Sequence, residues 1–164
     1  MTLSASIAQH LRAVFFGGNW TSVNLKDSVA DLDWQQATTQ LYSLNTIAGL
    51  VYHIGYYVDA IAGVLRGGTL AAKDKYSFDA PAITSQADWH HLLEKVWHDA
   101  EHLAALVEQL PDSQLQQLFV QPKYGTYHRN LHGLIEHTHY HLGQIVLLRK
   151  LLNLPSADNS RATI

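Results

Sequence analysis

The chain contains no cysteine, so disulfides, thiolate metal sites and cysteine nucleophiles are excluded together. Positive charge is also scarce: 11 Lys and Arg stand against 14 Asp and Glu, a formal net charge of -3. Without a basic footprint, nucleic acid is not expected as a partner. No apolar run reads as a membrane span. The most apolar stretch, residues 46–65, is broken by His53 and Asp59 and carries Tyr52, Tyr56 and Tyr57, which fits a buried helix better than a segment in lipid. Residues 1–16 place Arg12 inside an apolar pattern, with no charged region ahead of a long apolar run. They read as a first helix and not as a signal peptide. These absences lead to the expectation of a soluble, cytoplasmic protein with neither a membrane nor a nucleic-acid partner.

What remains is apolar and rich in histidine. A length of 164 residues with 47% hydrophobic content suits one domain with a real core. Apolar spacing predicts four long helices. The first covers residues 4–16, with Ile7, Leu11, Val14 and Phe15 as its inner face, and Gly17, Gly18 and Asn19 stop it. The second covers 46–65, with Asn45 as N-cap and Gly67-Gly68 beyond its end. The third begins behind Thr84 or Ser85, where Ser85 and Asp88 form a capping pair, and runs to Leu110 before Pro111. Its stripe is Trp89, Leu93, Val96, Ala100, Leu103, Val107 and Leu110. The fourth covers 130–153. A short helical piece is expected around 33–42, and an extended segment at Leu118, Phe119 and Val120. The fold class is therefore all-α: a four-helix bundle with long connections, one domain over residues 1–154, and a frayed polar tail at 155–164. The connections are long enough to cross the bundle, so topology stays open.

Histidine is the outlier, with 11 residues. On the fourth helix Leu134, His137, His141, Ile145, Leu148 and Leu152 recur at three and four residues and share one side. On the second, Thr46, Leu50, His53, Tyr57, Ala60, Ile61 and Val64 form a comparable stripe. A polar ring in an apolar stripe is costly unless partnered, and neutral imidazoles one turn apart are well placed to share a metal ion. Spacing leaves two readings: one metal site built from His53, His137 and His141, or three separate core histidines bonded to carbonyls and hydroxyls. The other histidines read differently. His98 and His102 point away from their helix's apolar stripe, alongside His91, Glu94 and Glu101. His139 lies about 200° from His137 on the wheel. His10, His90, His128 and His132 are read as lacking a partner at useful spacing.

Known metal motifs of other kinds are absent. A zincin needs Glu directly after the first His of its helix pair, and Thr138 stands there. A ferritin-like di-iron site needs two Glu-x-x-His helices and two further glutamates; only Glu136 to His139 has that spacing, and the second helix has no Glu. No G-x-S-x-G, phosphate loop or dinucleotide fingerprint is present. What is left is one His in "NTIAGLVYHIGYY" and His-x-x-x-His in "GLIEHTHYHLGQIVLLRKLL". With these segments, the "YSFDAP" connection and Trp89, the chain resembles the DinB-like (YfiT-like) superfamily of four-helix-bundle metalloproteins. The resemblance carries the family's metal triad onto His53, His137 and His141. Gly143, Gln144 and Ile145 match the run that follows the second ligand, with Leu142 where the family often has Arg.

That resemblance implies a metal-dependent hydrolase, or a transferase using a low-molecular-weight thiol, acting on a small-molecule substrate. The chemistry agrees: three neutral imidazoles leave a position open on a divalent ion, zinc or nickel, for water or a thiolate. Tyr57 is the best-placed candidate base and Gln144 a candidate for orienting a ligand or substrate. The alternatives are a metal or small-ligand binding protein without turnover, and a structural dimeric module. A homodimer is expected on a further ground. The second helix has another apolar strip, Val51, Ile54, Val58, Ala62 and Leu65, and one bundle core is not expected to bury both sides; the alternative is that the long connections, 20–44 or 70–83, fold over the strip within one chain.

Overall fold

Two helix-start signals decide where the long central helices begin. Thr46 is extended, and its side chain accepts the Gly49 N–H, which starts α4 (Ile47–Leu65) one residue later than an Asn45 cap would. Ser85 does the same for Asp88 N–H at the start of α5 (Gln86–Glu108). The Asp88 carboxylate turns back to the N–H and hydroxyl of Thr84, so the reciprocal half of the capping pair lands one residue early. The computed structural model describes residues 1–152. The tail expected at 155–164 lies outside the described residues, as do the last two residues of the expected 1–154 domain.

The chain is all-helical over the described residues. Four long helices, α1 (Leu3–Phe16), α4, α5 and α6 (Tyr127–Leu152), are joined by two short ones, α2 (Leu25–Val29) and α3 (Trp34–Thr38), and by three 3-10 turns. The extended segment expected near Leu118 amounts to one isolated bridge between Leu118 and Thr126. α4 and α1 each pack against both α5 and α6, so the bundle closes as a ring in the order α1, α5, α4, α6. Early α1 meets the end of α5: Asp112 accepts from the N–H groups of Leu3 and Ser4, and Phe16 lies edge-on to Trp97. α1 and α5 are thus antiparallel. The long 20–44 connection is tied down where the indole of buried Trp89 donates to Leu32 O at 3.1 Å. It is tied again where Arg149 bonds the carbonyls of Asp27 and Ser28.

α4 is the central helix. By length and composition it could cross a membrane, but here eleven of its 19 residues are buried in the bundle. The second apolar strip of α4 corrects an expectation. Val51, Ile54, Val58 and Ala62 are each 0% exposed within one chain, and Leu65, half-buried, packs against the same core, so the strip leaves little surface for a second copy, and the ground for a dimer centred there falls away. The cover is α5: a Cβ added to Gly55, in the middle of that strip, would lie 2.7 Å from Val96 Cγ2. Lacking a side chain, Gly55 lets the two helices approach closely enough to close over the strip.

Candidate metal centre

α4 and α6 present their polar rings to each other. His53 and His141 are buried and His137 is half-buried. His137 Nε2 lies 3.0 Å from His53 Nε2 and 3.1 Å from His141 Nε2. The structure thus brings together the three histidines that periodicity selected, and among the described residues they form the one group of three such side chains close enough to hold a metal ion. The bland reading of three separately satisfied histidines does not describe this arrangement.

The other ring nitrogens fix the tautomers. His53 Nδ1 donates to Ser77 O at 3.2 Å, and His141 Nδ1 donates to Gln144 Oε1 at 2.7 Å. Both rings therefore turn a lone pair, not a proton, toward the centre. His137 can give its single proton to one of them and not to both, and its Nδ1 is buried without a partner. A surplus of inward lone pairs is the condition that a cation relieves. Nitrogen donors at the usual zinc distance stand about 3.3–3.4 Å apart in a tetrahedron, so the observed spacing needs only a few tenths of an ångström of expansion. The donor set fits a divalent ion.

Electrostatics points the same way. Burial, then repulsion from His141 and His53, pushes the His137 ring down to about 4. Burial first, then His141, lowers His53. Both rings are neutral at pH 7, which a metal ligand requires.

The 3-10 turn Asp74–Tyr76 and the residues after it strap the centre. Ser77 supplies the carbonyl to His53 and Phe78 stacks on the same imidazole, ring centroids 4.0 Å apart at 12°. Tyr57 packs edge-on against His53 and His137 and donates its hydroxyl to Asp74 Oδ1 at 2.7 Å. Burial, then the Asp74 hydrogen bond, pushes the Tyr57 phenol up to about 12. As placed, the phenol keeps its proton at neutral pH and donates to Asp74. Gln144 Oε1 accepts from His141 Nδ1. Helical periodicity does not reveal Asp74, Ser77 and Phe78, because a loop has no repeat to read; Ser77 and Phe78 belong to the "YSFDAP" connection.

The remaining histidines fall mostly where expected. His98 and His102 are exposed and stacked on α5. His139 turns from the triad toward His10, with centroids 6.1 Å apart. His128 and His132 need correction. They are four apart and face each other with centroids at 4.4 Å, so their spacing was useful after all. His90 Nε2 meets Gln86 Nε2 at 2.9 Å.

A cleft of about 310 Å³ opens beside the triad, with His137 and Tyr57 in its wall. Another cavity, about 320 Å³, lies between α4 and α5 on the Tyr52 and Tyr56 side; none of the three histidines lines it. The family model of the DinB superfamily matches residues 23–145, most of the chain, and the protein belongs to that superfamily. No curated protein and no solved structure matches it.

Proposed function

We propose that the protein is a metal-dependent enzyme acting on a small molecule, either a hydrolase or a transferase of a low-molecular-weight thiol, with His53, His137 and His141 as the metal ligands. The observation that carries this reading is the convergence of three Nε2 atoms at 3.0 and 3.1 Å, two of them held in the lone-pair-inward tautomer by Ser77 O and Gln144 Oε1. A bound zinc or nickel ion, with no anionic protein ligand to offset its charge, would bring the pKa of a coordinated water toward about 7 or stabilise a substrate thiolate. The chain's own groups do the positioning. Gln144 fixes the His141 ring, Ser77 O fixes His53, and the Phe78 and Tyr57 rings pack on His53, with Tyr57 also against His137. Tyr57, protonated and edge-on to His137, can donate a hydrogen bond when it turns from Asp74.

A second reading, a metal or small-ligand binding protein without turnover, is favoured by one feature: Asp74, which holds the Tyr57 hydroxyl, is a weak choice of base while so engaged. Elemental analysis of the untagged protein, followed by a screen of electrophiles with several thiols and of hydrolysable esters and amides, separates the two. One divalent ion per chain and turnover that disappears on chelation are expected for the enzyme. An ion without turnover leaves the binding protein, and no ion removes both.

A further inference from the structure

The cleft beside the triad differs in charge from the rest of the chain. The whole sequence carries a formal net charge of -3, yet this cleft contains Lys123 and Arg129 and no acidic side chain. Neither cation is spent. Arg12, Arg66 and Arg149 each have a carboxylate partner, whereas among the described residues Arg129 has none within ion-pair range. Lys123 Nζ lies over the Tyr124 ring, 4.7 Å from its centroid, and likewise lacks an acid. Both side chains are exposed, at the rim of the cleft, and together they set up a positive potential over its mouth that salt screens.

Arg129 also has a defined backbone position. It occupies the first turn of α6, where its N–H donates to Thr126 Oγ1 at 3.2 Å, and its stem crosses Gly125. That glycine has φ 74°, a left-handed conformation that favours glycine. A Cβ there would lie 2.9 Å from Arg129 Cδ. The bend that ends the 3-10 turn Pro122–Tyr124 thus makes room for the arginine. One turn further along α6, Gly133 leaves that wall of the cleft open, since a Cβ there would meet nothing within 4 Å.

We propose that Lys123 and Arg129 bind the carboxylate of a small organic acid whose reacting bond lies at the histidine triad. A guanidinium fork matches the two oxygens of a carboxylate, and an ammonium adds a point charge beside it. The volume, about 310 Å³, is that of a site for a small molecule and not for a peptide. This inference rests on the proposed metal centre and names the substrate class of that same site.

The test uses the zinc-loaded protein and hydroxamates, which bind metal through one end. The monohydroxamates of succinate and glutarate, which keep a free carboxylate, are compared with neutral butanoyl and pentanoyl hydroxamates by isothermal titration calorimetry. The acidic probes are expected to bind at least about tenfold more tightly than the neutral ones, as charged hydrogen bonds warrant. That advantage should vanish in Lys123→Gln/Arg129→Gln while the neutral probes and the zinc content are unchanged. Equal affinity for acidic and neutral probes in the wild type, or an advantage that survives the double substitution, overturns the inference and leaves the metal centre standing. If neither zinc nor nickel is held, the proposed function fails and the inference falls with it; a loaded protein that binds no hydroxamate overturns the inference alone.

Discussion

Toward α5, α4 turns Val51, Ile54, Val58 and Ala62, all fully buried, around a glycine that lets the two helices close up. Toward α6 it turns His53, with Tyr57 one turn on, and every polar atom on that side has to be accounted for by a named partner. The first side is held by area removed from water, which is non-directional and tolerates many shapes. The second depends on direction: a ring rotated away from Ser77 O or Gln144 no longer aims its lone pair inward. One helix therefore gives stability on one side and chemistry on the other, and the two can be damaged separately.

Breaking the apolar side should have the largest effect. Val58→Asp is expected to cost roughly 3–5 kcal/mol of folding stability, a lost core side chain plus an unpaired buried carboxylate. Urea denaturation measures it, and a variant as stable as its parent would contradict the burial of that strip. Breaking the polar side should leave the fold and remove the ion: His53→Ala is expected to weaken metal binding by more than the roughly 100-fold seen for outer-sphere partners. Competition with a chromophoric chelator checks it, with His98→Ala, on an exposed helix face, as the control that keeps the wild-type affinity.

Acid sharpens the same contrast. In the metal-free protein His137 takes up a proton only near pH 4, whereas an unfolded chain takes it up near the ordinary imidazole value of about 6.5. The unfolded state binds more protons between these limits, so this contribution to stability is complete above about 6.5 and is lost as pH falls toward 4. Melting curves in chelator across that range should fall less steeply for His137→Phe than for the wild type; parallel slopes would refute the shift. The smallest change is expected from Tyr57→Phe, which removes one hydrogen bond to Asp74, worth about 1 kcal/mol, without touching a ligand. Thermal melting with and without zinc reads it, and a loss of metal in that variant would make Tyr57 more than a packing and donor group.

Legibility in the sequence followed periodicity. The triad could be read because His53, His137 and His141 sit on helices, where a repeat of three and four residues fixes the side of the chain they occupy. The same rule set His98 and His102 outward, and the structure agrees. His128 and His132 carry the spacing of His137 and His141 and meet at 4.4 Å, but they lie off the apolar stripe, where a polar ring is not a misfit and spacing alone does not mark it. The second strip of α4 is legible as apolar but not as covered within one chain, because a helix wheel shows which side is apolar but not which neighbour covers it. Its cover depends on Gly55 and Val96 approaching closely, a tertiary fact. Asp74, Ser77, Phe78, Lys123 and Gly125 lie in connections, whose conformations depend on what they dock against. They gave no signal of position.

The strap over the triad links two events that look separate. His53 uses one ring nitrogen to hold the Ser77 carbonyl and offers the other to the centre, so any ion that stiffens this ring also stiffens residues 74–78. Opening that segment would cost more in the loaded protein than in the empty one. Amide exchange and proteolytic nicking at the strap then become reporters of occupancy, and a substitution that loosens the strap, far from any donor atom, would be felt as a faster escape of the ion.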